Sequence, residues 1–222
     1  MRSDSHASLM DATYRWQRYI YDFTRKYYLF GRDRLIQDLG AAPGEAIVEI
    51  GCGTGRNLIK IAHLYPDTDL YGLDASEEML KTARRAVEQA GLSNRIRLIR
   101  GLAEDLTPAA FGRKAPFDHV VFSYSLSMIP DWKQALRRGA AAAEAGKVHV
   151  VDFGSMEGLG WPFAPLLSLW LRIFHVTPRK EILQRLESHP CLEEQTNPLR
   201  ILPAHYAFIW QGGSKTVQSL AL

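Results

Sequence analysis

Ala46-Ile47-Val48-Glu49-Ile50 runs directly into Gly51-Cys52-Gly53-Thr54-Gly55, and this junction constrains the fold more than any other part of the chain. A short apolar run, glycines at alternate positions and helix formers from Arg56 onward predict a strand, a tight turn and a helix. Without a Cβ, each glycine can take a positive φ and let the backbone approach a ligand closely. A turn at a helix N-terminus also offers N–H groups and partial positive charge to an anionic group. The spacing is G-x-G-x-G, whereas dinucleotide-binding turns use G-x-G-x-x-G. Glu49, just before the first glycine, is the second difference. A carboxylate there would repel a pyrophosphate but could accept hydrogen bonds from an α-ammonium group. A ligand with an amino-acid end and a nucleoside end fits both features.

The same grammar repeats downstream. Leu70–Leu73 reads as a second strand ended by Asp74, followed by a helix to about Ala90 with Ser76 as N-cap and Glu77 and Glu78 in its first turn. Gly91-Leu92-Ser93-Asn94 closes that helix. Ile96–Arg100, Phe117–Phe122 and Lys147–Phe153 are further strands, with an alanine-rich helix over Trp132–Ala145. Short apolar strands alternating with helices predict an α/β fold, a parallel sheet covered on both faces. Two regions depart from the alternation. Asp11–Leu39 reads as helix, divided at Gly31. The last third holds an apolar stretch at Leu159–Val176, a polar helix at Pro178–Ser188, and two final strands at Arg200–Leu202 and His205–Trp210.

Composition narrows the classes. A length of 222 residues suits one domain with modest additions, and 46% hydrophobic content supports a full core. Two cysteines, Cys52 and Cys191, make neither a disulfide framework nor a metal cluster. A reducing cytoplasm is the expected location. Met1–Leu9 contains Asp4 and no apolar core, so no signal peptide is expected. No apolar run approaches the roughly 20 residues that span a bilayer. A net charge of +3 permits an anionic surface as partner and does not demand nucleic acid.

Asp74 stands at the carboxyl end of strand two, where a carboxylate can accept both hydroxyls of a ribose. Met79, one turn into the next helix, either packs on an adenine face or belongs to the core. With the turn at Glu49–Gly55, these residues make the sequence resemble motif I and its sequel in the class I S-adenosylmethionine-dependent methyltransferases. That resemblance implies a Rossmann-like, seven-stranded, mostly parallel sheet with an antiparallel C-terminal edge hairpin. It implies N-terminal lid helices over residues 1–40, a methyltransferase domain over 41–222, and a substrate-side insertion around 155–190. S-adenosyl-L-methionine is the implied cofactor, held by Glu49, Gly51, Cys52, Gly53, Gly55, Asp74, Ala75 and Met79. Gly101-Leu102-Ala103-Glu104-Asp105 matches the family's adenine-reading segment, although Leu102 stands where Asp is usual. Ala103 and Glu104 are the candidates there. Ser123-Tyr124-Ser125 ends strand four beside the expected sulfonium, which adds Ser123 to the cofactor set and Tyr124 to the catalytic candidates.

The acceptor is read from the N-terminus. Tyr14–Tyr28 is dense in aromatic rings, which can pack a lid onto the sheet or surround an ammonium product. Tyr21 is the candidate hydroxyl there. The segment Asp11–Asp33 resembles the N-terminus of bacterial betaine-lipid N-methyltransferases, which trimethylate the amine of diacylglycerylhomoserine. The resemblance implies a lipid head-group amine as substrate. Gly160–His175 carries tryptophans interrupted by Pro and Arg, which suits an interfacial segment touching an anionic inner membrane face. A buried pocket lid is the competing reading; interfacial use requires Trp161, Phe163 and Trp170 to be partly uncovered. His205 could take a proton from the amine, or be an ordinary surface or core histidine. His119 reads as structural. Asp152, ending strand five, is a further carboxylate for a cationic amine. A soluble small-molecule methyltransferase and an RNA methyltransferase are the alternatives. No Asn-Pro-Pro-Tyr type tetrapeptide and no appended RNA-binding module favour the latter.

Overall fold

A computed structural model of the chain describes residues 29–161, 165–167, 169, 171, 176–188 and 199–220. The aromatic N-terminal segment with Tyr21, together with Phe163, Trp170 and Cys191, lies outside the described residues.

Seven strands form one sheet in the order β3-β2-β1-β4-β5-β7-β6. They are β1 (Ala46–Ile50), β2 (Asp69–Asp74), β3 (Ile96–Arg100), β4 (His119–Ser123), β5 (Lys147–Phe153), β6 (Leu199–Ile201) and β7 (Ala207–Gly213). The first five pair in parallel, while β7 runs antiparallel against β5 and β6. The mixed sheet is thus the expected one. The helices that accompany it among the described residues include α1 (Arg32–Gln37), α2 (Arg56–Leu64), α3 (Glu77–Gln89), α4 (Trp132–Ala143), α5 (Lys180–Ser188) and α6 (Ser214–Ser219).

Strand parity sorts the core into two layers. Ile47, Val121, Val151 and Ile209 face Leu35 and Ile36 of α1, Leu58 and Ile61 of α2 and Leu80 of α3. Their neighbours Val48, Val120, Val150 and Phe208 face Leu136 and Ala140 of α4, Ile182 of α5 and Val217 of α6. Near-continuous apolar strands are what a sheet covered on both faces requires. Small residues let α4 sit close: a Cβ on Gly139 would meet the Phe122 ring at 2.8 Å.

Two strand starts lie two residues later than the sequence reading has them. β4 starts at His119, because the N–H of Phe117 goes instead to the Ala142 carbonyl. β7 starts at Ala207, because Pro203–His205 form a 3-10 turn with Ala204 at φ 58 and His205 at φ 51. Gly31 does bound a helix: it is the N-cap of α1, at φ 85. His119 is structural, in line with the sequence reading, but sits inside the strand. Its Nε2 is 2.9 Å from Glu45 Oε2, and its Nδ1 is 2.9 Å from Nε2 of the buried His149. Among the described residues no helix is long and apolar enough to cross a membrane.

Candidate active site

The carboxyl ends of β1 to β4 open into a cleft, at the sheet edge where open α/β folds bind their ligands. Ile50, Gly51 and Gly53 of the β1 turn form its floor. Leu73, Asp74 and Ala75 after β2, with Met79 of α3, form one wall. Gly101, Leu102, Ala103 and Glu104 after β3 form the second, and Tyr124, Ser125, Met128 and Ile129 after β4 the third.

The glycine turn works differently from the expectation of N–H groups offered to an anion. The N–H groups of Gly51 and Cys52 both go to the Leu73 carbonyl, that of Gly53 to Asp74 Oδ2, and that of Gly55 to the Cys52 carbonyl. The turn therefore contributes close approach. Gly51 lies at φ 73, and a Cβ there would come within 2.6 Å of Ser125 Cβ. Any side chain at this position would fill the floor.

Asp74 is buried, and both its oxygens accept backbone donors: Oδ2 from Gly53 at 2.8 Å and Oδ1 from Ser76 at 2.9 Å. It ties the β1 turn to the start of α3, a role the sequence does not announce. A carboxylate accepts at about four lone-pair sites, so backbone donors and ligand hydroxyls can share it. Ser76 caps α3 as expected, its hydroxyl accepting from the Met79 N–H. Met79 is both buried core and cleft wall, so its two sequence readings hold together.

Several candidates fall outside the described cleft lining. Glu49 is buried on the α2 face of β1, where its Oε1 accepts from Asn57 Nδ2 at 2.7 Å. The same amide donates to Ser123 Oγ, so Glu49, Asn57 and Ser123 form a polar knot behind the turn. Strand alternation places both acidic and hydroxyl side chains on that face. Gly55 is the N-cap of α2 at φ 78, its Cα facing Ala83 of α3. Cys52 is buried, and burial, then the charges of Asp74 and Glu49, push its thiol well above the ordinary value, leaving it unreactive. His205 is exposed in the turn before β7, its carbonyl accepting from Met156, and is not brought to the cleft. Asp152 is also displaced from the role considered for it: it is buried below the post-β4 turn, accepting the Ser127 N–H at 3.0 Å.

Tyr124 lines the cleft in a backbone conformation rare for a non-glycine residue, φ 55. Its hydroxyl donates to the Phe30 carbonyl at 2.6 Å, and its ring stands edge-on to Phe153. The proton of that hydroxyl is thus committed to the backbone entering α1. Ser125 Oγ is buried and has no hydrogen-bond partner among the described residues. Buried hydroxyls are normally satisfied, so this one is available to a ligand. Met128 and Ile129 were not anticipated. They carry no motif; their only signal is that they follow β4 at the edge where the other candidates converge.

A floor that a Cβ would fill, an unsatisfied hydroxyl and a backbone-anchored carboxylate at the end of β2 fit a nucleoside ligand with an amino-acid tail. Residues 47–154 match the family model described as a methyltransferase domain. The demethylmenaquinone methyltransferase of Geobacillus kaustophilus is 29% identical over 73% of this chain and 68% of its own length. That of Listeria welshimeri is 32% identical over 53% of this chain, which spans about half, 49%, of that relative. Among solved structures, the S-adenosylmethionine-dependent methyltransferase SibL superposes with a TM-score of 0.61 at 18% identity, covering 89% of this chain and 57% of that one. The fold is that of the class I methyltransferases. The methyltransferase-domain match and the methyltransferase relatives support an S-adenosylmethionine-dependent methyltransferase.

Proposed function

We propose that the chain methylates the amine of diacylglycerylhomoserine to give the trimethylated betaine lipid. The observation that carries this reading is the likeness of Asp11–Asp33 to the betaine-lipid N-methyltransferases. Exposure on the far side of the chain supports a lipid acceptor: Trp161 is 87% exposed, Leu166 65% and Leu169 56%. Large apolar side chains left in water together suit an interfacial contact.

S-adenosylmethionine, when bound, supplies a methyl group activated by its sulfonium. Asp74 would hold its ribose, Met79, Leu102, Ala103 and Ile129 would flank its base, and Glu104 would be the acidic group nearby. Gly51 and Gly53 admit the methionine end. Ser125 offers its hydroxyl next to that floor, and the Tyr124 ring shields the methyl-transfer region from water. The chain's catalytic work is alignment and water exclusion, since the leaving group is already good. An amine must be neutral to attack, and no described side chain is placed as a dedicated base. Solvent or the substrate's own carboxylate takes the proton.

The identified relatives favour a second reading, transfer to the ring carbon of a demethylated quinone, which is also a lipid-soluble acceptor. Incubation with methyl-labelled cofactor and each lipid in turn separates them. Label in the homoserine lipid supports the first reading; label in the quinone alone overturns it.

A further inference from the structure

The third wall of the cleft is a turn, Ser125–Ile129, closed on itself by the N–H groups of Met128 and Ile129 bonding to the Ser125 carbonyl at 3.0 Å. Leu126 anchors the turn in the core, and Met128 and Ile129 pack against the core's edge. The turn's backbone is also gripped from outside. From below, Asp152 of β5 accepts the Ser127 N–H at 3.0 Å. From the opposite side, the chain entering α5 reaches over it. The Thr177 N–H donates to the Ser127 carbonyl at 2.9 Å, and Arg179 Nη2 donates to the Ile129 carbonyl at 2.9 Å. Arg179 Nε also points at the Leu126 carbonyl, a longer contact at 3.4 Å. The planar guanidinium fork suits two carbonyls of one turn, which a single ammonium could not span. Arg179 and Asp152 also attract one another electrostatically, so the turn is held between opposite charges.

We infer that Arg179 is a positioning residue: it sets the Met128–Ile129 wall of the cofactor cleft and couples that wall to α5 and the segment leading into it. The residues just before α5 are themselves anchored, because Val176 is buried in the core. A change in the hold on residues 176–179 therefore alters the cleft wall, and occupancy of the cleft acts on that hold in return. The inference rests on the cleft being the cofactor site and is independent of which acceptor is methylated.

The test is binding of S-adenosylhomocysteine by calorimetry to wild type, Arg179→Ala and Arg179→Lys, with unliganded thermal unfolding of each. Arg179→Ala should weaken binding about tenfold, the scale of one lost charge-assisted hydrogen bond. Arg179→Lys, which keeps one donor, should recover part of that loss. Wild-type affinity in Arg179→Ala, even with a lowered melting temperature, overturns the positioning role and leaves a structural one. Hydrogen exchange on the wild-type protein tests the coupling without any variant: S-adenosylhomocysteine should slow exchange of the Thr177 amide. Unchanged exchange there overturns the coupling. Failure of wild type itself to bind would instead remove the cofactor reading of the cleft.

Discussion

At Asp74, a carboxylate predicted for a ligand turns out to serve the protein as well. It fastens the Gly53 N–H and the Ser76 N–H across two loops. Asp74→Ala should therefore weaken S-adenosylhomocysteine binding by about 1–3 kcal/mol, as expected for hydrogen bonds to a charged group, and should also lower stability. Calorimetry and urea unfolding measure the two losses separately, and unchanged affinity would take Asp74 out of the site. Gly51→Ala probes the floor. The new methyl meets Ser125 Cβ at 2.6 Å in a backbone conformation at φ 73. A loss of stability of about 1–3 kcal/mol is expected from overpacking, together with loss of cofactor binding; retained binding would show that the floor does not face the ligand. The glycine spacing and the strand-ending aspartate were legible in the sequence because each is a local demand of backbone geometry. Ser125, Met128 and Ile129 were not, because their use follows from which loops the sheet brings together.

The strands are the best-read elements. Ala46–Ile50, Ile96–Arg100 and Lys147–Phe153 are found as read, since short apolar runs between turns allow few other outcomes. The start of the last strand was misplaced by two residues, because Ala204 and His205 take positive φ in a turn that Gly154 and Gly158 approach closely, an arrangement set across the sheet's edge. The segment around Trp161 divides two readings that periodicity cannot separate, a pocket lid or a surface element. Its exposed side chains predict that Trp161→Ser/Leu166→Ser/Leu169→Ser will reduce partition to vesicles containing anionic lipid. The unfolding midpoint should stay nearly constant, since exposed positions change stability by at most about 0.5 kcal/mol. Equal sedimentation of variant and wild type with vesicles would argue against membrane contact.

Over the whole molecule, the sheet buries titratable groups far from the cleft as well as beside it. Asp152 has its carboxyl raised to about 6 by burial, although the Phe153 and Ser127 N–H groups and the Arg179 charge oppose the rise. A raised acid favours folding in its protonated form. Its contribution is fully present below the ordinary value of 3.8 and is lost as pH climbs through about 6. That shift corresponds to about 3 kcal/mol. His149 runs the other way: burial, then the charges of His119 and Lys147, hold it well below 6.5, so its contribution is lost as pH falls. Comparing Asp152→Leu with wild type isolates the carboxyl. Between about pH 4 and about pH 7, the urea unfolding free energy should shift in favour of the variant by about 2–3 kcal/mol. A difference that does not vary with pH would place the Asp152 carboxyl at its ordinary value.

The sequence by itself determined the class of fold, the glycine turn and the acidic residue after β2, because these follow from side-chain periodicity and from backbone conformations that neighbouring residues dictate. Only the tertiary structure decided that Glu49 and Ser123 pack behind the turn rather than line it, and that His205 stays outside the cleft. It also decided that Arg179, 50 positions along the chain, reaches back to hold the wall beside Ile129. Those outcomes depend on strand order and on which carbonyls and donors meet across the sheet's edge, and that information belongs to no single stretch of residues.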